Sequence, residues 1–335
     1  MNVLVTGANG FIGSNLCDRL IRSRDSVTGL VRTSSDLSFV ENLAPLELRT
    51  GDITDRDSLR AALDDVSVVY HVAGYSKDWG SWKIFRENNV EGVRNVIETA
   101  RECGVRRVVH VSSVSVYGFP GKTGVTEDAP FIARPDDRYV TTKTEGERLA
   151  MSYHGNGLEV TVIRPAGVYG PNDRTTTAQM APAMLDGKFG YVDGGRHIMA
   201  PVYIDNLTQL IMLAGSSSKA PGEAYNAIDD GLVTWREYAE WMCEDLGCAN
   251  PRFSVPRHIT WPLAVVVEKT AKLLGKKESP LINKYRIRAV MADAHYSAEK
   301  AKRELGYRPL VSTREGISRT IKWYREYARL DDQRT

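Results

Sequence analysis

Near its amino terminus the chain reads Val3-Leu-Val-Thr-Gly7-Ala-Asn-Gly10-Phe-Ile-Gly13. The apolar residues before Gly7 predict a buried strand, and the apolar spacing after Gly13 predicts a helix. Gly7 permits a tight turn, Gly10 lets backbone N–H groups approach a pyrophosphate, and Gly13 lets the helix pack close to the strand. The spacing is G-x-x-G-x-x-G, which differs from the widely quoted G-x-G-x-x-G. The stretch predicts a dinucleotide-binding turn at the start of a parallel sheet.

Strands and helices alternate regularly through the first half of the chain. The predicted strands are Val3–Thr6, Ser26–Val31, Leu46–Thr50, Val66–His71, Val108–Ser112 and Val160–Arg164. This alternation is typical of an α/β protein with a Rossmann-type doubly wound parallel sheet, whose ligand lies at the carboxyl ends of the strands. After Tyr169 the alternation stops. We therefore predict a dinucleotide-binding domain over 1–170 with a returning segment near 200–228, and a smaller C-terminal substrate lobe made of 171–199 and 229–335.

Tyr139 and Lys143 stand four residues apart in the stretch Arg138-Tyr-Val-Thr-Thr-Lys143. The stretch from Thr141 to Ser152 is predicted to be helical, and residues four apart on a helix share one face. A nearby ammonium group stabilises a phenolate and lowers the pKa of the phenol from its usual value of about 10. Such a tyrosine can exchange a proton with an alcohol or a ketone. Alone, such a pair far more often belongs to an ordinary surface helix, but here it follows a dinucleotide turn.

Further motifs occur in one order along almost the whole chain. They are Gly51-Asp52-Ile53, His71-Val-Ala-Gly74, Asn88-Asn89-Val90-Glu-Gly92, Val111-Ser-Ser113-Val-Ser-Val-Tyr117-Gly118 and Arg164-Pro-Ala-Gly-Val-Tyr-Gly-Pro171. Together with the glycine turn and the Tyr-Lys pair, they make the chain resemble the extended short-chain dehydrogenase/reductase family, also described as NAD-dependent epimerases and dehydratases. The resemblance implies an NAD(P)-dependent enzyme that interconverts a secondary alcohol and a ketone.

The resemblance also implies roles for individual residues. Tyr139 would transfer the proton, Ser113 would donate a hydrogen bond to the substrate oxygen, and Lys143 would contact the ribose and lower the pKa of Tyr139. Asn89 would support a proton path. The implied cofactor-binding residues are Gly7, Gly10, Phe11, Ile12, Gly13, Arg32, Asp52, Ile53, Val72, Ala73, Gly74, Tyr139, Lys143, Pro165 and Ala166.

The end of the second strand bears on the choice of cofactor. NAD-preferring members of the family commonly place an acidic residue there to bind the ribose diol. This chain has Val31 followed by Arg32, Thr33, Ser34 and Ser35. Valine cannot bind the diol, whereas Arg32 could stack on adenine and pair with a 2′-phosphate. We favour NADP, with NAD as the alternative in which Arg32 only stacks on the adenine.

Two departures from the nucleotide-sugar members bear on the substrate. Those members typically carry an Arg that clamps the diphosphate, where this chain has Met199, and often an Asn where this chain has Gly167. A thioether cannot replace a bidentate phosphate donor, although Arg174 or Arg196 is left open as a clamp from elsewhere. The alternative function is a nucleotide-sugar 4-epimerase or dehydratase with tightly bound NAD.

The chain is most similar to the branch of 3β-hydroxysteroid dehydrogenases and sterol-4-carboxylate 3-dehydrogenases. The segments that carry this closer resemblance are Lys77-Asp-Trp79-Gly80-Ser-Trp82 and Ala200-Pro-Val-Tyr-Ile-Asp-Asn206. With Trp79, Trp82 and Met199, they favour an alicyclic or lipid-like secondary alcohol or its ketone, and a 3β-hydroxysterol is the best single candidate.

Composition excludes several other classes. The 335 residues are 42% hydrophobic and 26% charged, and the net charge of +2 gives no reason to expect a nucleic-acid partner. No uncharged apolar run approaches the roughly 18 residues of a membrane span. The start lacks a secretory signal, so we expect a cytoplasmic protein. Four cysteines and six histidines without ligand spacing predict free thiols and no metal site. A homodimer is left open.

A helix predicted over Ile259–Leu274 has two distinct sides. Ala264, Val267, Ala271 and Leu274 share one side, and Glu268, Lys269, Lys272 and Lys276 share another. Three interpretations stay open at this point. The helix could be core with a solvated lysine face, a lid over an apolar substrate, or a contact with a membrane surface.

Overall fold

The computed structural model describes residues 1–155, 157–276, 278–280, 282–293 and 295–332, so the last three residues of the predicted lobe, 333–335, lie outside the described part. Its strands are β1 Asn2–Thr6, β2 Ser26–Val31, β3 Glu47–Thr50, β4 Val68–His71, β5 Arg107–Val111, β6 Glu159–Pro165, β7 Gly167–Tyr169, β8 Tyr191–Val192, β9 Ile198–Met199, β10 Pro201–Tyr203, β11 Ala224–Ala227, β12 Val233–Thr234 and β13 Ser254–Val255.

The α-helices are α1 Phe11–Arg22, α2 Arg56–Ala62, α3 Trp82–Arg86, α4 Gly92–Glu102, α5 Arg138–Ser152, α6 Thr177–Leu185, α7 Ile204–Ser216, α8 Trp235–Leu246, α9 Arg257–Leu273, α10 Lys284–Val290, α11 Glu299–Leu305 and α12 Thr313–Asp332. A π-helical turn, Glu87–Glu91, joins α3 to α4, and Val114–Tyr117 and Asp193–Gly195 are short 3₁₀ turns.

Seven strands form one sheet in the order β11-β6-β5-β4-β1-β2-β3, and every neighbouring pair is parallel. The predicted doubly wound parallel sheet is therefore confirmed. The edge strand β11 was not predicted, because the sequence Ala-Tyr-Asn-Ala carries little strand signal and becomes a strand through pairing with β6.

Successive residues of each strand point to opposite faces of the sheet, and each face is covered by helices. Val3 and Val5 of β1 pack into the cluster that includes the apolar sides of α1 and α7. Leu4 packs into the cluster with α2, α4 and α5. The apolar sides of these helices thus bury both faces, which is why the β-strands read as continuous apolar runs.

The rest of the chain forms three small two-stranded sheets, β10 with β7, β12 with β9 and β13 with β8. A buried carboxylate links this part to the main sheet. Asp229 accepts hydrogen bonds from the backbone of Tyr203 (2.9 Å), the side chain of Asn206 (2.7 Å) and the phenol of Tyr169 (3.0 Å). Burial raises the pKa of Asp229 to about 6. The division into two lobes itself stays a prediction.

In helix α9 the buried and exposed faces differ from those expected for the predicted Ile259–Leu274 helix. Ala264 and Ala271 are buried as expected, but Glu268 is buried too, and Leu274 is 69% exposed. Glu268 accepts a hydrogen bond from Lys272 (2.5 Å) and another from the backbone N–H of Lys284 at the start of α10 (3.0 Å). Because α10 packs against this side, the glutamate belongs to the inner face. Within the described residues no helix has the length and hydropathy needed to traverse a bilayer.

Two buried histidines lie side by side in the middle of the sheet. His71 of β4 and His110 of β5 have ring centroids 5.3 Å apart. His71 shares a hydrogen bond of 2.8 Å with Thr6, whereas neither ring nitrogen of His110 has a hydrogen-bond partner among the described residues. Burial, aided by Lys143, lowers the pKa of His71 to about 3 and that of His110 well below its usual value.

We predict that these histidines make the fold sensitive to acid. In the unfolded chain both titrate near pH 6.5, so as the pH falls below that value the unfolded state takes up protons first, and stability is lost towards the folded-state pKa. His110→Leu should lose no hydrogen bond, keep the free energy of unfolding at pH 7 within about 1 kcal/mol, and lessen the drop between pH 7 and pH 5. Urea unfolding at both values measures this, with exposed His258→Leu as the control. An unchanged drop in the His110 variant would contradict the prediction.

Candidate active site

The glycine turn has the geometry of an anion cradle. Gly7 has φ +67°, and a Cβ on Gly13 would lie 2.1 Å from the Gly7 carbonyl oxygen. Only a residue without a side chain allows α1 to approach the end of β1 so closely. Within the described residues no side chain caps α1 at Gly10, so the N–H groups of Phe11 and Ile12 start the helix without such a partner. A pyrophosphate fits this helix terminus.

The other predicted cofactor residues follow the carboxyl ends of further strands of the same sheet. After β3, Asp52 accepts hydrogen bonds from the backbone (2.9 Å) and hydroxyl (2.8 Å) of Thr54, and Ile53 is buried. After β4, the N–H of Ala73 donates to Thr6 (3.1 Å). Val72 and Gly74 flank Ala73, and Pro165 and Ala166 lie at the end of β6.

The end of β2 presents one exposed guanidinium and one neutralised carboxylate. Arg32 is exposed, and no acidic side chain of the described residues pairs with it. Asp36, four residues further on, forms an ion pair with Arg174. The hydrogen bonds from the Ser38 backbone and from Arg174 lower the pKa of Asp36 to about 2. Arg174 also stacks on Phe39, with its guanidinium carbon 4.0 Å from the ring centroid.

The proposed catalytic side chains come from one helix and one turn. Helix α5 begins earlier than predicted, at Arg138, because Asp137 accepts a hydrogen bond from the N–H of Val140 (3.1 Å) and caps it. Tyr139 and Lys143 therefore stand one turn apart on the same helix. Ser113 follows β5, and its hydroxyl accepts a hydrogen bond from the N–H of Ser115 (3.1 Å) and lies close enough to Tyr139 to lower the pKa of that phenol. The structure thus brings Ser113 and Tyr139 together.

The pKa of Tyr139 is shifted in the direction opposite to the one expected. Burial raises it, and the hydrogen bond with Ser113 only partly offsets this effect. Lys143 is buried, and its ammonium group donates to the carbonyl of Val111 (2.8 Å). Burial lowers the pKa of Lys143 to about 8. The expected lowering of the Tyr139 pKa by Lys143 is therefore not found in this arrangement, because the long side chain reaches past the tyrosine to the strand.

Asn89 is committed to hydrogen bonds within the protein. It lies on the π-helical turn, accepts from the N–H of Tyr75 (2.8 Å), and donates to the carbonyl of Tyr75 (3.1 Å) and the hydroxyl of Thr142 (3.2 Å). A Cβ on Gly146 would lie 2.1 Å from the Asn89 carbonyl. Asn89 therefore ties the loop after β4 to α5, and its role in a proton path stays a prediction.

The two residues that depart from the nucleotide-sugar pattern are neighbours in space. Met199 is buried, and a Cβ on Gly167 would lie 4.0 Å from the methionine Cε and 3.1 Å from the carbonyl of Ala200. A side chain at position 167 would therefore lie in contact with the Met199 thioether. Arg196, the other clamp left open, is exposed and pairs with Asp193 (3.1 Å).

An aromatic wall that the sequence did not reveal covers Tyr139. The ring of Tyr285, on α10, lies 5.8 Å from that of Tyr139 and 5.7 Å from that of Phe119, measured between centroids. Hydrogen bonds of Asn283 (2.8 Å) and Arg286 (2.6 Å) to Asp78 fasten this helix to the loop after β4. No local pattern signals this contact, because the partners are distant in sequence.

A buried polar network behind the proposed catalytic groups was also missed. Arg164 of β6 donates twice to Glu147 of α5 (2.9 and 2.6 Å) and once to Tyr117 (2.6 Å). Ser112 donates to the other carboxylate oxygen of Glu147 (2.5 Å). The sequence did offer one indication of this network. Glu147 follows Lys143 by one helical turn and shares its face.

The comparison with known proteins identifies the chain. The sequence model of the NAD dependent epimerase/dehydratase family matches residues 3–227. The chain belongs to this family. It is an extended short-chain dehydrogenase/reductase, an NAD(P)-dependent enzyme acting on CH–OH groups. The family assignment made from the motifs is confirmed.

Relatives of the chain carry names that describe different activities or ligands. The 3beta-hydroxysteroid-dehydrogenase/decarboxylase isoform 2 of Arabidopsis thaliana is 30% identical over 95% of this chain, which spans 61% of that protein's length. Sterol demethylase protein B of Methylococcus capsulatus is 29% identical over 97% of this chain and 99% of its own. The structure of MoeE5 in complex with UDP-glucose and NAD is 26% identical, with a TM-score of 0.76 over 98% of this chain and 100% of that chain.

We predict that the Glu147 network holds the catalytic helix of this family member in place. Glu147→Gln should lower the free energy of unfolding by about 3 kcal/mol, because it leaves the buried charge of Arg164 without its partner. Glu145→Gln, on the same helix, removes only a surface pair with Arg86 and should cost less than about 1 kcal/mol. Chemical unfolding at neutral pH compares the two, and equal losses would contradict the prediction.

Proposed function

We propose that this chain is an NADP-dependent oxidoreductase that interconverts a secondary alcohol and a ketone on an apolar substrate. The best single candidate is a 3β-hydroxysterol or a related hydroxy compound. The observation that favours it most is the pairing of Ser113 with Tyr139 beneath the aromatic wall of Tyr285 and Phe119. A proton-transferring pair beside aromatic rings suits a ring-containing alcohol.

The residues divide the chemistry as follows. Ser113 donates a hydrogen bond to the substrate oxygen, and Tyr139 takes the proton from the alcohol or returns it to the ketone. Lys143, on the same helix, would contact the ribose of the bound cofactor, and its ammonium group is anchored by the carbonyl of Val111 (2.8 Å). The nicotinamide supplies the hydride acceptor or donor, and the protein supplies position and electrostatics.

The charges of the substrate lobe support an apolar substrate. Arg174 is held by Asp36 near the end of β2, and Arg196 pairs with Asp193, so neither guanidinium is free in this arrangement to clamp a diphosphate. Arg286 is likewise paired with Asp78 (2.6 Å). Met199 and Gly167, which stand where nucleotide-sugar members often have Arg and Asn, supply no anion donor. The named sterol-converting relatives point to the same class, whereas the UDP-glucose complex of MoeE5 keeps a nucleotide-sugar epimerase or dehydratase as the alternative.

A substrate screen with both cofactors tests the proposal. Hydroxysteroids and other apolar alcohols should be turned over, and UDP- and dTDP-sugars should not. Tyr139→Phe should lower turnover roughly 10²-fold or more through loss of general acid–base catalysis, while cofactor binding stays nearly intact. Tyr153→Phe, the same change at the end of the same helix, is the control. Turnover of a UDP-sugar without activity on any apolar alcohol or ketone would refute the substrate class, and full activity of Tyr139→Phe would refute the role of the phenol.

The cofactor preference is tested by titration. NADP should bind more tightly than NAD, because Arg32 is exposed and pairs with no acid in the described part of the chain, while the nearby carboxylate of Asp36 is paired with Arg174. Arg32→Ala should weaken NADP binding roughly tenfold, as expected for the loss of a charge-assisted hydrogen bond, and leave NAD binding almost unchanged. Arg22→Ala on the surface of α1 is the matched control. Tighter binding of NAD to the unsubstituted protein would reverse the preference.

A further inference from the structure

The outer face of α9 carries an unusual concentration of exposed apolar side chains. Of the eleven large hydrophobic residues that are exposed in the described part of the chain, six fall between positions 253 and 274. They are Phe253, Ile259, Leu263, Val266, Leu273 and Leu274. Single exposed apolar residues are ordinary, but a contiguous group marks an interaction surface.

Helical geometry places four of these residues on one stripe. Within α9, Ile259, Leu263, Val266 and Leu273 follow each other at intervals of four, three and seven residues, which is the spacing of one helix face. The opposite face is the buried one and is formed by Thr260, Ala264, Glu268 and Ala271. The stripe therefore points away from the protein, and nothing among the described residues covers Val266 (60% exposed) or Leu273 (88% exposed).

Positive charge borders the stripe. Lys269 lies beside it on α9, and Lys276 follows the end of the helix; both are exposed, and no acidic side chain of the described residues pairs with either. Lys272 is also partly exposed, while the nearby acid Glu268 is buried and neutralised by Lys272 and Lys284. An apolar stripe flanked by lysines complements an anionic lipid surface, where apolar groups insert and lysines meet phosphates.

We propose that α9 is an interfacial helix that binds the chain to the surface of an anionic membrane. A second copy of the chain fits the stripe less well. A helix of 17 residues is about 25 Å long, and one side of it offers far less than the roughly 800 Å² per partner of a stable interface. A symmetric contact would also bring the lysines of both copies together.

The stripe and the cover of the active site belong to the same helix pair. Helix α10, which carries Tyr285 against Tyr139, packs on the inner side of α9 through the hydrogen bond of Glu268 to Lys284 and the stacking of Arg288 on Trp261 (5.6 Å). A bound membrane would thus be separated from the helix that carries the aromatic wall by α9 alone. Its use as a source of substrate rests on the proposed function, whereas the binding itself does not.

Vesicle flotation of the full chain, without cofactor or substrate, tests the proposal. The protein should bind phosphatidylcholine vesicles that contain phosphatidylserine, and bind pure phosphatidylcholine more weakly. Val266→Glu/Leu273→Glu should weaken binding roughly tenfold or more, because two inserting side chains are replaced by charges. Leu232→Glu/Leu310→Glu alters two exposed leucines elsewhere (59% and 58% exposed) and should bind like the unsubstituted protein. Lys269→Ser/Lys276→Ser should weaken binding to the anionic vesicles and make it less sensitive to salt.

Circular dichroism and cofactor titration show whether each variant is folded. Equal vesicle binding by the Val266/Leu273 and Leu232/Leu310 variants would overturn the proposal. So would self-association without lipid that only the Val266/Leu273 variant loses, since that result would assign the stripe to a second copy. Failure to bind vesicles leaves the outcome of the substrate screen untouched, so the two proposals fail independently.

Discussion

The buried ion pair between Arg164 and Glu147 holds together the elements on which the active site depends. Arg164 lies near the end of β6, Glu147 lies on α5, and Ser112, which also binds Glu147, immediately precedes Ser113. Two charges removed from water are costly unless each finds good partners, and here the carboxylate receives three hydrogen bonds. Because this arrangement tolerates little displacement, it fixes α5 against the sheet and so sets the distance between Ser113 and Tyr139.

The two ends of the candidate site differ in how the protein prepares them for a ligand. At the dinucleotide end the chain has a residue without a side chain, Gly13. Helix α1 and strand β1 approach so closely there that a Cβ would not fit. At the catalytic end the fold adds buried polar groups whose hydrogen bonds are satisfied by one another. The first end is suited to a ligand held by backbone N–H groups, and the second to a proton that moves between fixed oxygens. Lys143, buried and with its pKa lowered to about 8, donates a hydrogen bond to the carbonyl of Val111 at the end of β5.

Much of the fold could be predicted from the sequence, because strand runs and glycine turns are local signals. The parallel sheet and the family followed from them, and the structure places Ser113 beside Tyr139. The rest depended on information that no local pattern carries. Helical spacing put Tyr139 and Lys143 on one face, but it could not show that the ammonium group reaches Val111. Helical spacing likewise could not show that α10 covers Glu268, or that Tyr285 packs on Tyr139.

The place of β11 in the sheet has a consequence for how the chain acquires its structure. Strand β11 closes the edge beside β6, yet between β6 and β11 the chain also forms β8, β9 and α6 outside the main sheet. During synthesis the sheet is therefore complete only once residue 227 has left the ribosome, and until then β6 offers an open edge to other strands. A fragment ending near residue 170 would keep that edge exposed. The main sheet thus reaches its final form only together with the segments that lie between β6 and β11.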